Sequence, residues 1–407
     1  MNSKNPKRAI ETLLVHAGER GAKPVGDPVA TPLYATTTFT YASMSELDRA
    51  FSGESAGYVY TRFGNPTVGA LEEAVSILEE GTGACAYASG MAALHAALIA
   101  SGLKSGACVL ASDQLYGATT ALLHNFFKNF GVRVTAADFS DLDCLRELAR
   151  DIRPQVLIAE TISNPLLKIC AIDKCAEIAH EVGARLIIDN TFASPYLCQP
   201  LTLGADIVMH SATKYLSGHG DATGGLVVTQ DNKLLSALAG AKKLIGGVLG
   251  VWDAHEIMRG LKTLALRMER QCNNAAHLAE RFAAHRRIAR VHYPGRSAPQ
   301  SERETMERVL RVELRGALVS IELRENTREA AFRFMDALQL CLRSTSLGDV
   351  FTGVLHPATA SHRDLDVERR RQLGISDGLV RISVGIENVA DIIADIEQAL
   401  NVAAAAR

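Results

Sequence analysis

The chain has 407 residues, 47% of them hydrophobic, enough to bury a large core over two domains. Its formal net charge is −2 and it holds no block of like charge, which argues against a nucleic-acid or anionic-membrane partner. No apolar run reaches about 18 residues, so no membrane span is expected. The basic start MNSKNPKRAIETLL lacks the apolar stretch of a signal peptide. The eight cysteines form no CxxC pair and the histidines no HExxH, so no metal site is expected. The thiols read as mostly buried and reduced, in a cytoplasmic protein.

The first 60 residues carry few strong elements and many Thr, Pro and Tyr. They read as an extended arm that packs on a neighbouring subunit. From about residue 83 to 229 the pattern alternates. Strand-length apolar runs fall at Ala84–Ala88, Cys108–Ala111, Val132–Ala136, Val156–Glu160, Leu186–Asp189 and Ile207–Met209. Helix-like stretches lie between most of them, at Ala92–Ala100, Thr119–Phe130, Leu142–Asp151 and Cys170–Val182. This alternation predicts an α/β fold, a mainly parallel sheet with helices on both faces. A long charged helical stretch, Ala254–Ala284, leads to a smaller α+β region with strands at Ala317–Glu322 and Val380–Ser383. A helix at Val389–Ala405 follows. The expected division is an arm at 1–60, a large domain at 61–255 and a small C-terminal domain at 256–407.

Ligands of parallel sheets bind at the carboxyl ends of the strands. Ser89, Asp189 and Ser211 all fall at or just past such an end. The run HSATKYLSGHGDATGG, His210 to Gly225, places Lys214 after a short apolar segment. Small hydroxyl residues, Ser211 and Thr213, precede it and a glycine-rich loop follows. An imine-forming lysine, hydroxyls for a phosphate and an acid for a ring nitrogen are the parts of a pyridoxal 5′-phosphate (PLP) site. Lys214 also reads as a surface lysine and Asp189 as a turn acid; the apolar lead-ins favour the enclosed alternative. Ser89-Gly90-Met91 opens a helix, where backbone N–H groups favour a phosphate. Tyr116 can stack on a ring or act as an acid, and a packing tyrosine is equally common. Arg381, inside the apolar strand LVRISVG, suits a carboxylate. Two glycine patterns are false leads. GTGACA at Gly81–Ala86 precedes a strand where a dinucleotide fingerprint must follow one, and the loop after Lys214 lacks the later glycine.

These motifs resemble the Cys/Met-metabolism, or transsulfuration, family of PLP enzymes with the aspartate-aminotransferase fold, fold type I. The resemblance runs from ETLLVHAG (Glu11–Gly18) through YTRFGNPT (Tyr60–Thr67), YASGMAA (Tyr87–Ala93), ETISNP (Glu160–Pro165), IIDNTFASP (Ile187–Pro195) and HSATKY (His210–Tyr215). It continues through MRGLKTLALRM (Met258–Met268), TSLGD (Thr345–Asp349), HPAT (His356–Thr359) and VRISVGIE (Val380–Glu387). It implies that Lys214 anchors PLP and moves protons, and that Asp189 pairs with the pyridine nitrogen. Ser89, Gly90, Met91, Ser211 and Thr213 hold the phosphate. Tyr116 stacks on the ring and helps activate the substrate or protonate the leaving thiolate. Asn164, Ser346 and Arg381 bind the substrate. Tyr60 and Arg62 reach the phosphate of a neighbouring subunit, which implies an obligatory dimer and, for the family, a homotetramer of two such dimers.

Within the family, LSGHGDATGG and the SLGD-to-HPAT stretch look most like methionine γ-lyases. Cystathionine lyases resemble one another in acids where this chain has Val59 and Thr345. Ala118 stands where methionine γ-lyases carry a cysteine, and Phe351 and Thr352 depart from the usual Glu-Thr or Glu-Ser. The expected reaction is α,γ-elimination from methionine- or homocysteine-like substrates, giving a 2-oxo acid, ammonia and a thiol. The alternatives are a cystathionine γ-lyase and a γ-replacement transferase (O-acylhomoserine sulfhydrylase or cystathionine γ-synthase). A non-catalytic member is disfavoured by the intact Lys214, Asp189 and Arg381.

Overall fold

The computed structural model describes residues 26–296, 299–311 and 313–405. The predicted motif at Glu11–Gly18 and the first 25 residues of the predicted arm lie outside these. Contacts divide the chain into Met1–Pro32 and a compact unit, Leu33–Arg407. Residues 26–32, the described part of the first unit, hold no helix or strand. The rest of the predicted arm includes a helix, Met44–Ser52, capped by the Ser43 hydroxyl.

The larger sheet of the second unit has seven strands. They are β1 (Gly83–Tyr87), β2 (Cys108–Ser112), β3 (Arg133–Ala137), β4 (Val156–Glu160), β5 (Arg185–Asp189), β6 (Ile207–Ser211) and β7 (Gly225–Thr229). Their spatial order is β1-β7-β6-β5-β4-β2-β3. The run from β6 to β3 is parallel, and β7 is antiparallel to both its neighbours. Runs such as VLIA and LII suit strands buried on both faces. Alternate residues feed two cores: Leu157, Leu186, Ile188 and Val208 on one face, Ile158, Ile187, Ile207 and Met209 on the other. The strand order reverses between β2 and β4, the point at which open α/β sheets bind ligands. Because β1 runs parallel to β6, the carboxyl ends of β1, β2, β4, β5 and β6 share one edge.

The smaller sheet has β8 (Ile288–His292), β9 (Leu318–Leu323), β10 (Leu342–Arg343), β11 (Gly353–Leu355) and β12 (Leu379–Ser383), in the order β10-β11-β12-β9-β8. The helices Leu264–Ala283, Arg328–Asp336 and Val389–Ala405 contribute to its core, through Phe282, Phe334 and Ile392. Among the described residues no helix is long and apolar enough to cross a membrane.

Three expectations change. The stretch Ala254–Ala284 is two helices, Val251–Leu261 and Leu264–Ala283. The break has a structural cause. Gly260 packs against the Leu216 and Ser217 carbonyls with no room for a Cβ, and Arg267 donates to Gly260 O at 2.8 Å. The boundary placed at 255 falls inside the first of these helices. The stretch Thr119–Phe130 is a short α-helix (Gly117–Ala121), a π turn (Leu122–Phe126) and a 3₁₀ turn (Phe127–Phe130). The wider turn sets Phe126 and Phe127 against the His95 ring, at centroid distances of 5.2 and 5.4 Å.

Candidate active site

The carboxyl edge of the large sheet meets β12 and the segment before β11 around a cavity of about 410 Å³. Ser89, Gly90, Met91, Tyr116, Asn164, Asp189, Ser211, Thr213, Lys214 and Arg381 all line it. Residues separated by up to 217 positions, such as Asn164 and Arg381, meet there.

Lys214 follows β6 in a turn whose backbone is held from behind: Arg267 donates to Tyr215 O at 2.8 Å. The Lys214 amine donates to Ser346 Oγ at 3.0 Å. Burial and the nearby Arg381 charge hold this amine below the ordinary lysine range, opposed by Asp349. A lowered lysine has more of its neutral, nucleophilic form.

Asp189 ends β5. Burial pushes its carboxyl up, while Thr191 opposes this by donating its N–H at 3.0 Å and its hydroxyl at 2.5 Å. A cation beside Asp189 would favour the charged form further. The Thr191 hydroxyl also accepts the Ser211 N–H at 2.8 Å, so one threonine couples the ends of β5 and β6.

Ser89 caps the helix Gly90–Ala100 by accepting the Ala92 N–H at 3.1 Å. The first N–H groups of that helix have no intrahelical partner, and they form the positive end of its dipole. Gly90 is needed for close approach: a Cβ there would sit 2.8 Å from Ser211 Cβ. The Thr213 hydroxyl accepts the Gly224 N–H at 3.1 Å, tying the lysine turn to the start of β7.

Arg381 crosses from β12. It donates to Asn164 Oδ1 and to Ser346 O, both at 3.2 Å, and its Nε is buried without a partner. Two neutral acceptors leave the charge uncompensated, so the cavity is poised for an anion.

Ser346 touches both Lys214 and Arg381 but does not line the cavity. Tyr60 and Arg62 do not line it either. Arg62 donates to Lys243 O and lies over the Phe63 ring, 4.8 Å from its centroid. Of the positions weighed for specificity, Thr345 lines the cavity, whereas Val59, Ala118, Phe351 and Thr352 do not. Among the described residues no group of His, Cys, Asp and Glu could hold a metal.

Sequence reasoning gave no role to two polar residues here. Glu160 ends β4 beside Asp189, and Thr191 makes the contacts just described. Glu160 had a visible signal: it ends an apolar run just as Asp189 does.

The profile of the Cys/Met metabolism PLP-dependent enzyme family matches residues 11–401. The chain is 42% identical over 400 residues to an L-methionine gamma-lyase of Fusobacterium nucleatum subsp. polymorphum, covering 97% of this chain and 98% of that one. It is 40% identical over 392 residues to a cystathionine gamma-lyase of Bacillus subtilis, covering 96% and 98%. Among solved structures, a putative O-acetylhomoserine (thiol)-lyase of Campylobacter jejuni superposes with a TM-score of 0.87 at 30% identity, covering 96% and 99%. That structure holds N′-pyridoxyl-lysine-5′-monophosphate.

Proposed function

This chain belongs to the Cys/Met metabolism PLP-dependent enzyme family, a fold type I, PLP-dependent enzyme of sulfur amino acids, and we propose that it catalyses α,γ-elimination from methionine- or homocysteine-like substrates. The observation that carries the substrate choice is the charge inventory of the cavity. Among the described residues its only ionisable acids and bases are Glu160, Asp189, Lys214 and Arg381, with Tyr116 at its mouth. The first three lie at the sheet edge and Arg381 takes the α-carboxylate. The remaining wall includes Ile162, Phe192, Thr345, Leu347 and Leu355. A thioether needs only apolar contact there, while cystathionine brings a second ammonium and carboxylate that would lose water unpaired.

The residues present fit PLP, from the lowered Lys214 amine to the glycine cradle before the helix Gly90–Ala100. Lys214 would hold it covalently. Asp189 would pair with its ring nitrogen, and Ser89, Gly90, Met91, Ser211 and Thr213 would hold its phosphate. When bound, PLP supplies an electron sink for charge developing at the substrate α-carbon. The residues then divide the labour. Arg381 and Asn164 orient the substrate through its carboxylate. The Lys214 amine, set free when the substrate's amino group takes its place, would take the α-proton and then a β-proton, whose bonding pair expels the γ-sulfur. Tyr116 would lie over the cofactor ring and give its phenolic proton to the departing thiolate, so that sulfur leaves as a neutral thiol. Water completes the stoichiometry to 2-oxo acid and ammonia.

The runner-up is γ-replacement, in which an added thiol captures the γ-carbon; it uses the same cofactor residues and the same neutral wall. We further place Tyr60 and Arg62 at the phosphate of a neighbouring subunit, in a homotetramer of two active dimers. Neither residue lines its own chain's cavity, which supports this. Eight unpaired cysteines support a reducing, cytoplasmic setting. Parallel kinetics on methionine, homocysteine, cystathionine and O-acetylhomoserine with sulfide tests the proposal. The first two are expected to lead in kcat/KM with oxo-acid release. Preference for cystathionine refutes the wall argument, and preference for the acylated substrate with sulfide moves the enzyme to replacement.

A further inference from the structure

The ring-covering tyrosine is poorly anchored by its own side chain. Tyr116 is 40% exposed, and it precedes the helix Gly117–Ala121 without a side-chain capping bond. Its backbone N–H, however, is held at 2.5 Å by Glu160 Oε1, 44 positions away. Asn164 lies four residues past Glu160, on the loop that leaves β4, with its backbone N–H near enough to favour the ionised form of the same carboxyl. Asn164 in turn carries the Arg381 guanidinium on its Oδ1, and its carbonyl faces the buried His362.

We infer that Glu160 is a positioning residue of this site: its buried carboxyl ties the Tyr116 backbone to the end of β4, from which the Asn164 loop leaves, and so sets the ring cover and the substrate-carboxylate anchor relative to one another. Glu160 ends β4 and lies in register with Asp189 on β5, so its backbone is held by the sheet. Both loops hang from that point. Glu160 is only 8% exposed. Burial and the neighbouring Asp189 charge push its carboxyl well above the usual range, opposed by the two N–H groups and by Arg381. What holds Tyr116 is an acceptor oxygen at this reach, so glutamine should replace it, whereas alanine should not.

The inference rests on the cavity being the PLP site, and the test separates the two. Glu160→Ala, Glu160→Gln and wild type are compared in three ways. The first is amide hydrogen exchange of the cofactor-free protein over segments containing residues 116 and 164, which needs no cofactor and no turnover. Glu160→Ala is expected to speed exchange there at least about tenfold, with protection elsewhere unchanged. The second is visible circular dichroism of the PLP-loaded protein, expected to weaken in Glu160→Ala while the Lys214 link persists. The third is steady-state kinetics on the best substrate. Glu160→Ala should raise KM about tenfold and lower kcat about a hundredfold, and Glu160→Gln should restore most of both. Unchanged exchange, dichroism and kinetics in Glu160→Ala would overturn the inference, and so would equal damage from glutamine and alanine. If the alanine protein does not fold, Glu160→Asp gives the same reading, because one methylene less of reach must raise KM and exchange if the tie is real. A wild type that binds no PLP refutes the functional reading, while the exchange arm still decides the tie.

Discussion

Arg381→Met removes a buried charge that forms no salt bridge among the described residues. Burial pulls the guanidinium down to about 10, with only partial relief from neighbouring groups. That depression corresponds to roughly 3 kcal/mol of charge-burial cost. Against it stand the two hydrogen bonds to Asn164 Oδ1 and Ser346 O, each 3.2 Å long. Leaving both acceptors unpaired costs about 1 kcal/mol each at this length, or about 2 kcal/mol together. Methionine fills similar volume, so little cavity is opened. The two terms nearly cancel, and the cofactor-free variant should match wild type in urea denaturation within about 1 kcal/mol. Function should not follow. Two charge-assisted hydrogen bonds to a substrate carboxylate are worth about 1.5–3 kcal/mol each, so kcat/KM should fall by about 10²–10⁴. A stability loss of about 3–5 kcal/mol would mean that Arg381 has an anionic partner within the fold. A kcat/KM within threefold of wild type would place the substrate carboxylate elsewhere.

Two further outcomes follow from the same structure. His362 is buried beside Arg381 and pushed down to about 4, chiefly by burial. Between pH 6.5 and 4 the unfolded chain takes up a proton there that the folded chain refuses, so stability should fall with pH by roughly 3 kcal/mol in total. His362→Gln should flatten that part of the denaturation-versus-pH curve, and an unchanged acid slope would count against it. For assembly, Arg62→Ala should weaken PLP retention, and mixing it with Lys214→Ala chains should rebuild intact sites in hybrid dimers. Well-exchanged hybrids without activity would mean that each chain builds its own site.

The parallel sheet was legible in the sequence because its signal is local. β4 matches the run Val156–Glu160, and β5 and β6 differ from their predicted runs only by one or two end residues. The meeting of Ser89, Asp189 and Ser211 around one cavity was legible for the same reason: a strand end brings its next polar residue to one edge, so topology alone could place them together. The resemblance to the family then supplied roles, which pattern does not contain. The break at Lys262–Thr263 was not legible, since no proline interrupts the helical pattern of that stretch. It arises from Gly260 meeting Ser217, 43 positions upstream, and from Arg267 reaching Tyr215. The π turn after Tyr116 likewise answers to His95 on another helix. The tie from Glu160 to Tyr116 and the grip of Asn164 on Arg381 join residues 44 and 217 positions apart. Periodicity and capping report what a residue's near neighbours on the chain allow. Which distant backbone amide a buried carboxyl finds is decided only when the two sheets and their loops pack, because burial makes an unpaired polar group too costly to leave.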